Sequence, residues 1–125
     1  MENKWKNQKF LQSLKNAING IIYVIKTGRN FKIQLFFAFL AILMGLGLKI
    51  SLLEFAILMI TIFLVLAMEC INTAIEKIVD MYTLEYNETA KIIKDIAAGS
   101  VTLMAMLSII IGCLIFLSKL IEIIM

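Results

Sequence analysis

The sequence predicts an all-α integral-membrane chain, with three transmembrane helices behind an N-terminal amphipathic surface helix. Three observations predict it. The 125 residues are 62% hydrophobic, with a mean hydropathy of +0.96 and no proline, far from the composition of soluble globular domains. Apolar runs at 33–48, 52–68 and 97–117 each approach the roughly 20 residues that a helix needs to cross a bilayer core. Basic residues are distributed unequally about those runs. Too little chain remains for a separate soluble domain, so residues 1–125 read as a single membrane domain.

The first element spans about residues 5–28. Leu11, Leu14, Ile18, Ile21 and Ile25 recur at three- and four-residue intervals, with Lys9, Lys15, Asn16, Asn19 and Lys26 between them, the pattern of a one-faced helix. Its basic face, with Trp5 and Phe10 near its start, fits a helix lying in the cytoplasmic membrane interface. Packing on its own protein fits equally well. No short apolar region with a small-residue cleavage site precedes the first apolar run, so no cleaved signal peptide is expected.

The spans follow at about 31–49, 52–70 and 97–118. The Lys49-Ile50-Ser51 link makes the first two a tight antiparallel hairpin. Glu54 beside it reads as a solvated helix-end carboxylate. Gly45, Gly47 and the Ala97-Ala98-Gly99-Ser100 stretch allow close helix approach or oligomer contact. Lys4, Lys6, Lys9, Lys15, Lys26, Arg29 and Lys32 precede the first span, and Lys77, Lys91 and Lys94 lie between the second and third; Lys49 and Lys119 stand alone at the opposite ends. The positive-inside rule then puts the N-terminus in the cytoplasm and the C-terminus outside. This asymmetry accounts for most of the net charge of +3, which leaves no nucleic-acid footprint. Cys70 and Cys113 sit in apolar stretches without metal-ligand spacing, and the chain has no histidine; both are expected to be buried free thiols.

The stretch "MECINTAIEKIVDMYTLEYNETAKIIKD" breaks this pattern. At about 100° per residue, Glu69, Glu76 and Asp80 fall within roughly 40° of arc, flanked by Asn72 and Thr73. A charge at the centre of a span costs about 2.5–3.5 kcal/mol on insertion scales. Glu76 and Asp80 can emerge into water, but Glu69 has apolar neighbours on both sides. Carboxylates four residues apart repel, and a hard cation such as Mg2+, held by one or two carboxylates and substrate phosphates, would relieve that. Lys91, Lys94 and Asp95 arrive at the same end, where lysine can partner phosphate. No GxxxxGK[ST] loop is present. An ion pathway, a phosphate site and a structural charge cluster all remain open on these residues alone.

The segments "ECINTAIEKIVD", "EYNE", "KDIAAGSV" and "SLKNAINGIIYVIKTGRNFKIQL" resemble the small prokaryotic diacylglycerol kinase family, in particular its Gram-positive undecaprenol kinase branch. The resemblance implies a membrane homotrimer that transfers the γ-phosphoryl group of Mg-ATP to the hydroxyl of a membrane lipid, undecaprenol before diacylglycerol. It implies Glu69 as catalytic base, Glu76 as metal ligand, and Glu76, Glu85, Tyr86, Asn87, Lys94 and Asp95 as ATP-binding residues. Asn72 and Asp80 match supporting polar positions, and Ala98 falls with Glu69 at the lipid site. Gly28 stands where the family carries a second acidic metal ligand, and Asn87 where histidine is common. Phosphoryl transfer chiefly requires positioning, charge neutralisation and a base, which this set supplies. The competing expectations are a catalytically weak homologue and, from another class, a small oligomeric channel or holin-like protein with Glu69 lining a pore.

Overall fold

The computed structural model describes residues 9–125; Lys4, Trp5 and Lys6 lie outside the described residues. Those described form four helices and no strand: α1 (Phe10–Thr27), α2 (Arg29–Gly47), α3 (Leu52–Tyr82) and α4 (Glu88–Ile124). By length and composition α2, α3 and α4 are each able to cross a membrane. Phe36, Phe39, Phe63 and Ile109 are among many large apolar side chains that face outward, as expected where lipid replaces water as solvent.

The α1–α2 junction is a single extended residue, Gly28, which caps α2 at φ −91° and ψ 108°. Any residue can adopt that backbone; the constraint is contact. Its N–H donates to the Val24 carbonyl at 2.7 Å, and a Cβ built on Gly28 would lie 2.7 Å from that same oxygen. The chain turns sharply enough here that a side chain must displace backbone.

Between α2 and α3 the turn closes as a Schellman motif. Ile50 N–H donates to Gly45 O (3.1 Å) and Lys49 N–H to Leu46 O (3.3 Å), satisfying carbonyls left over at the helix end. Lys49 holds the left-handed position at φ 55°, usually a glycine's. The Ile50 side chain folds back over Gly45, whose missing Cβ would stand 2.9 Å from Ile50 Cδ1. Ser51 then opens α3 with a capping box: its hydroxyl accepts from Glu54 N–H (3.1 Å), and the Glu54 carboxylate accepts from Ser51 N–H (3.0 Å). Glu54 is thus part of the helix start rather than only solvated.

Both α3 and α4 run beyond the apolar segments. At about 1.5 Å per residue they measure roughly 46 and 55 Å against a hydrocarbon core of about 30 Å. They form the principal packed hairpin, joined by residues 83–87. Thr83 and Glu85 make a short side-chain-stabilised turn, and Asn87 caps α4 by accepting from Ala90 N–H at 3.0 Å. Val79, Ala90 and Ala97 are buried along the hairpin, and Leu58, Val65 and Ile115 deeper in the apolar part.

Cys70 and Cys113 are both free, but neither is buried: Cys70 is half-buried and Cys113 exposed on α4. An apolar segment in lipid can present a thiol outward as readily as inward, so hydrophobicity alone does not predict burial there. Among the small residues, Gly45 and Ala97 are buried, whereas Gly47, Ala98 and Gly99 face outward.

Lys49→Gly is expected to raise stability by about 0.5–1 kcal/mol by removing the left-handed strain of a β-carbon, seen as a higher midpoint in thermal unfolding of detergent-solubilised protein. An unchanged or lower midpoint would show that Lys49 sits there without strain.

Candidate active site

The apolar environment of α3 makes its acidic face conspicuous, and packing of α1 and the start of α2 turns that face into a cleft. The cleft, of about 350 Å³, is lined by Glu69, Asn72, Thr73, Glu76, Lys77 and Asp80 from α3, opposite Tyr23, Thr27, Gly28, Arg29 and Asn30. All five polar residues predicted to share a face of this helix line the one cavity. Lys77 Nζ lies 5.3 Å from the centre of the Tyr23 ring, a cation–π contact that ties α1 to α3.

Glu69 is the most enclosed ionisable group of this set, 5% exposed, and Asn72 is 7% exposed. Gln34 on α2 donates from Nε2 to Glu69 Oε2 at 3.4 Å, and Asn72 donates from Nδ2 to Glu76 Oε1 at 3.5 Å. Thr73 Oγ1 donates to the Glu69 carbonyl at 2.9 Å, a bond within the helix. Each cleft glutamate is therefore faced by the N–H of an amide. The oxygen of each amide, Gln34 Oε1 and Asn72 Oδ1, is buried without a hydrogen-bond partner.

A second cleft, of about 480 Å³, lies between the end of α3 and the start of α4. Asp80, residues 83–87, Lys91, Lys94 and Asp95 line it. Lys94 Nζ binds Asp80 Oδ1 at 2.7 Å between the two helices, and Lys91 Nζ binds Asp95 Oδ2 at 2.6 Å within α4. Glu85, Tyr86, Asn87, Lys94 and Asp95 thus come together. Glu76 lines the other cleft, and Asp80 is common to both. Ala98 is exposed on α4 and lines neither of these clefts.

Among the described residues, no three of Asp, Glu, Cys or His stand close enough to hold a metal unaided. The donors present still suit a hard cation. Glu76, Asp80 and the orphaned Asn72 Oδ1 are all oxygen, and a buried acceptor without a donor is satisfied by a cation as well as by a hydrogen bond. Gly28 lines the cleft without a side chain to offer.

Two contributors were not anticipated from the sequence, Gln34 and Tyr23. A signal for Gln34 was present, since it is an amide inside an apolar run, and polar residues within spans are seldom idle. Tyr23 gave none, because a tyrosine on an amphipathic helix reads as an interface anchor.

The family model for prokaryotic diacylglycerol kinase matches residues 15–116. The undecaprenol kinase of Bacillus subtilis (strain 168) is 38% identical over 112 residues, covering 90% of this chain and 91% of that protein. A diacylglycerol kinase of Synechocystis sp. (strain ATCC 27184 / PCC 6803 / Kazusa) is 39% identical over 103 residues, covering 82% of this chain and 59% of that protein. With four-fifths of its length inside the family model and a relative matched nearly end to end, this chain belongs to the prokaryotic diacylglycerol kinase family.

Proposed function

We propose that this chain transfers the γ-phosphoryl group of Mg-ATP to the hydroxyl of undecaprenol, giving undecaprenyl phosphate. The observation that carries the reading is the burial of Glu69 in the same cleft as the more exposed Glu76 and Asp80. With Leu52 at one edge of the hydrocarbon core, the helical rise puts Glu69 about 26 Å along α3, Glu76 about 36 Å and Asp80 about 42 Å. A core about 30 Å thick ends between the first two. Glu69 is then positioned for a lipid hydroxyl, and Glu76 and Asp80 for a nucleotide.

In this reading Glu69 accepts the hydroxyl proton as the lipid oxygen bonds to the γ-phosphorus and the bond to the bridging β,γ-oxygen breaks, releasing ADP. Lys94 turns from Asp80 toward the phosphates, with Glu85, Tyr86, Asn87 and Asp95 around the rest of the nucleotide. Glu76, with Asn72 and Asp80, would hold Mg2+, which would supply neutralisation of phosphate charge when bound. The clefts face the cytoplasm, where ATP is found and where positive-inside counting puts this end of the helices.

Undecaprenol is placed first because the relative of that name is covered over 91% of its length, against 59% for the one named diacylglycerol kinase. The active unit is proposed to be a homotrimer. Its support is the outward-facing Gly47, Ala98 and Gly99 among exposed apolar side chains, which allow close contact between copies. Ala98 lines neither of the two polar clefts of one chain, which leaves it free to border the Glu69 cleft of a neighbouring copy in the proposed trimer.

Transfer of radiolabelled phosphate from ATP in mixed micelles tests the activity and the lipid together. Turnover of undecaprenol is expected to exceed that of diacylglycerol, and Glu69→Gln is expected to lose about 10²–10⁴-fold while still binding nucleotide. Faster turnover of diacylglycerol reverses the substrate order, and retained turnover by Glu69→Gln removes the base assignment. Glu76→Gln is expected to raise the Mg2+ concentration for half-maximal activity by about tenfold or more, read from metal titrations at fixed ATP; an unchanged titration places the metal elsewhere. The mass of the detergent-solubilised protein, corrected for bound detergent, is expected to be three times 14.1 kDa. A monomer with full activity would show that one chain builds the whole site.

A further inference from the structure

Gln34 occupies a position that the proposed chemistry does not yet use. It stands in the second turn of α2, at the boundary between the polar cleft and an apolar groove formed by α2, α3 and α4. Across that boundary its Nε2 donates to Glu69 Oε2 at 3.4 Å, the one hydrogen bond to the Glu69 carboxylate among the described residues. Its own Oε1 is buried and unpartnered. Each of these groups is expensive at membrane depth, and leucine at this position would insert more favourably. A structural role therefore does not account for the amide.

Its chemistry suits a neighbour of a base. An ionised carboxylate accepts hydrogen bonds only, and an amide in a fixed orientation offers it an N–H with no proton to lose. A lysine there would neutralise the base, and a hydroxyl could point its proton elsewhere. The 3.4 Å separation is longer than the 2.7–2.9 Å common for charge-assisted bonds, and catalytic hydrogen bonds are often long before substrate binds.

We infer that Gln34 is the positioning residue of the Glu69 base: by engaging Oε2 from α2 it fixes the carboxylate's rotation and leaves Oε1 to take the lipid proton. This rests on the reading of Glu69 as base, and the contact itself couples the first membrane helix to the reacting group on the second. A misplacement of about 1 Å at a reacting group can lose about 10²-fold in rate, so a single amide here is enough to matter.

The test uses the full chain in mixed micelles, with Gln34→Leu and Gln34→Met to remove the donor at similar size, Gln34→His to return an N–H, Glu69→Gln, and the Gln34→Leu/Glu69→Gln double variant. Retained thermal midpoints establish folding. Both apolar variants are expected to lose about 10–100-fold in kcat with KM for ATP and for lipid unchanged. Gln34→His is expected to recover most of that loss, and the double variant to be no slower than Glu69→Gln alone, because residues acting as a unit are non-additive. Full kcat in both apolar variants, a loss confined to KM, no recovery by Gln34→His, or losses that multiply in the double variant would each overturn the positioning role. Retained turnover by Glu69→Gln would instead overturn the base reading on which it stands, so the two failures are distinguishable.

Discussion

The arrangement depends on one constraint: Glu69 is a carboxylate almost wholly removed from solvent on a helix that carries no charged side chain over residues 55–68, roughly the preceding four turns. In a medium without water to solvate it, such a group must find hydrogen-bond donors from the protein or revert to its neutral form. The helices around it supply those donors sparingly. One amide reaches its carboxylate from α2 at 3.4 Å, and its cleft opens toward α1 and the α1–α2 junction. A fully satisfied carboxylate would be a stable structural element and a poor proton acceptor; a sparsely satisfied one is costly to the fold and available to a substrate.

That constraint explains why the junction between α1 and α2 is so tight. To close a cleft over the C-terminal half of α3, the surface helix must be brought against it within a single residue of the first span, and Gly28 does so where a side chain would strike the Val24 carbonyl. The Tyr23–Lys77 contact then holds α1 in place. The same glycine removes a potential carboxylate from the cleft wall. The side-chain oxygens of Asn72, Glu76 and Asp80 stand on the α3 wall of the cleft.

Much of this was legible in the sequence for identifiable reasons. Three long apolar runs could only be membrane helices, and the 100° rotation per residue places Glu69, Asn72, Thr73, Glu76 and Asp80 on one face with no tertiary information. Long-range contacts were not legible. Nothing in the spacing of Lys94 relative to Asp80 announces a bond across fourteen residues, because it depends on the turn at 83–87 and the angle of the hairpin. The capping box at Ser51 and Glu54 had a local signature, Ser-x-x-Glu before an apolar run, although a carboxylate near a turn also reads as merely solvated. Exposure of Cys113 lay beyond sequence reasoning because lipid and protein are alike as surroundings for an apolar helix.

Ion pairing is uneven between the two clefts. Of the five acids that line them, Asp80 and Asp95 each have a lysine within 2.7 Å, and Glu85 stands on an open turn beside water. Among the described residues Glu69 and Glu76 have amide partners and no ion pair. An amide can orient a carboxylate but cannot neutralise it. In the proposed reading a nucleotide would bring several more negative charges to the same place, and Lys94 would meet them by leaving Asp80, which exposes another carboxylate. Arg29 and Lys77 line the same cleft as Glu69 and Glu76, yet among the described residues neither cation is ion-paired with them, so the two glutamates keep oxygens open to a further cation. In the proposed reading, a divalent cation arriving with the nucleotide would be the electrostatic complement of those two carboxylates.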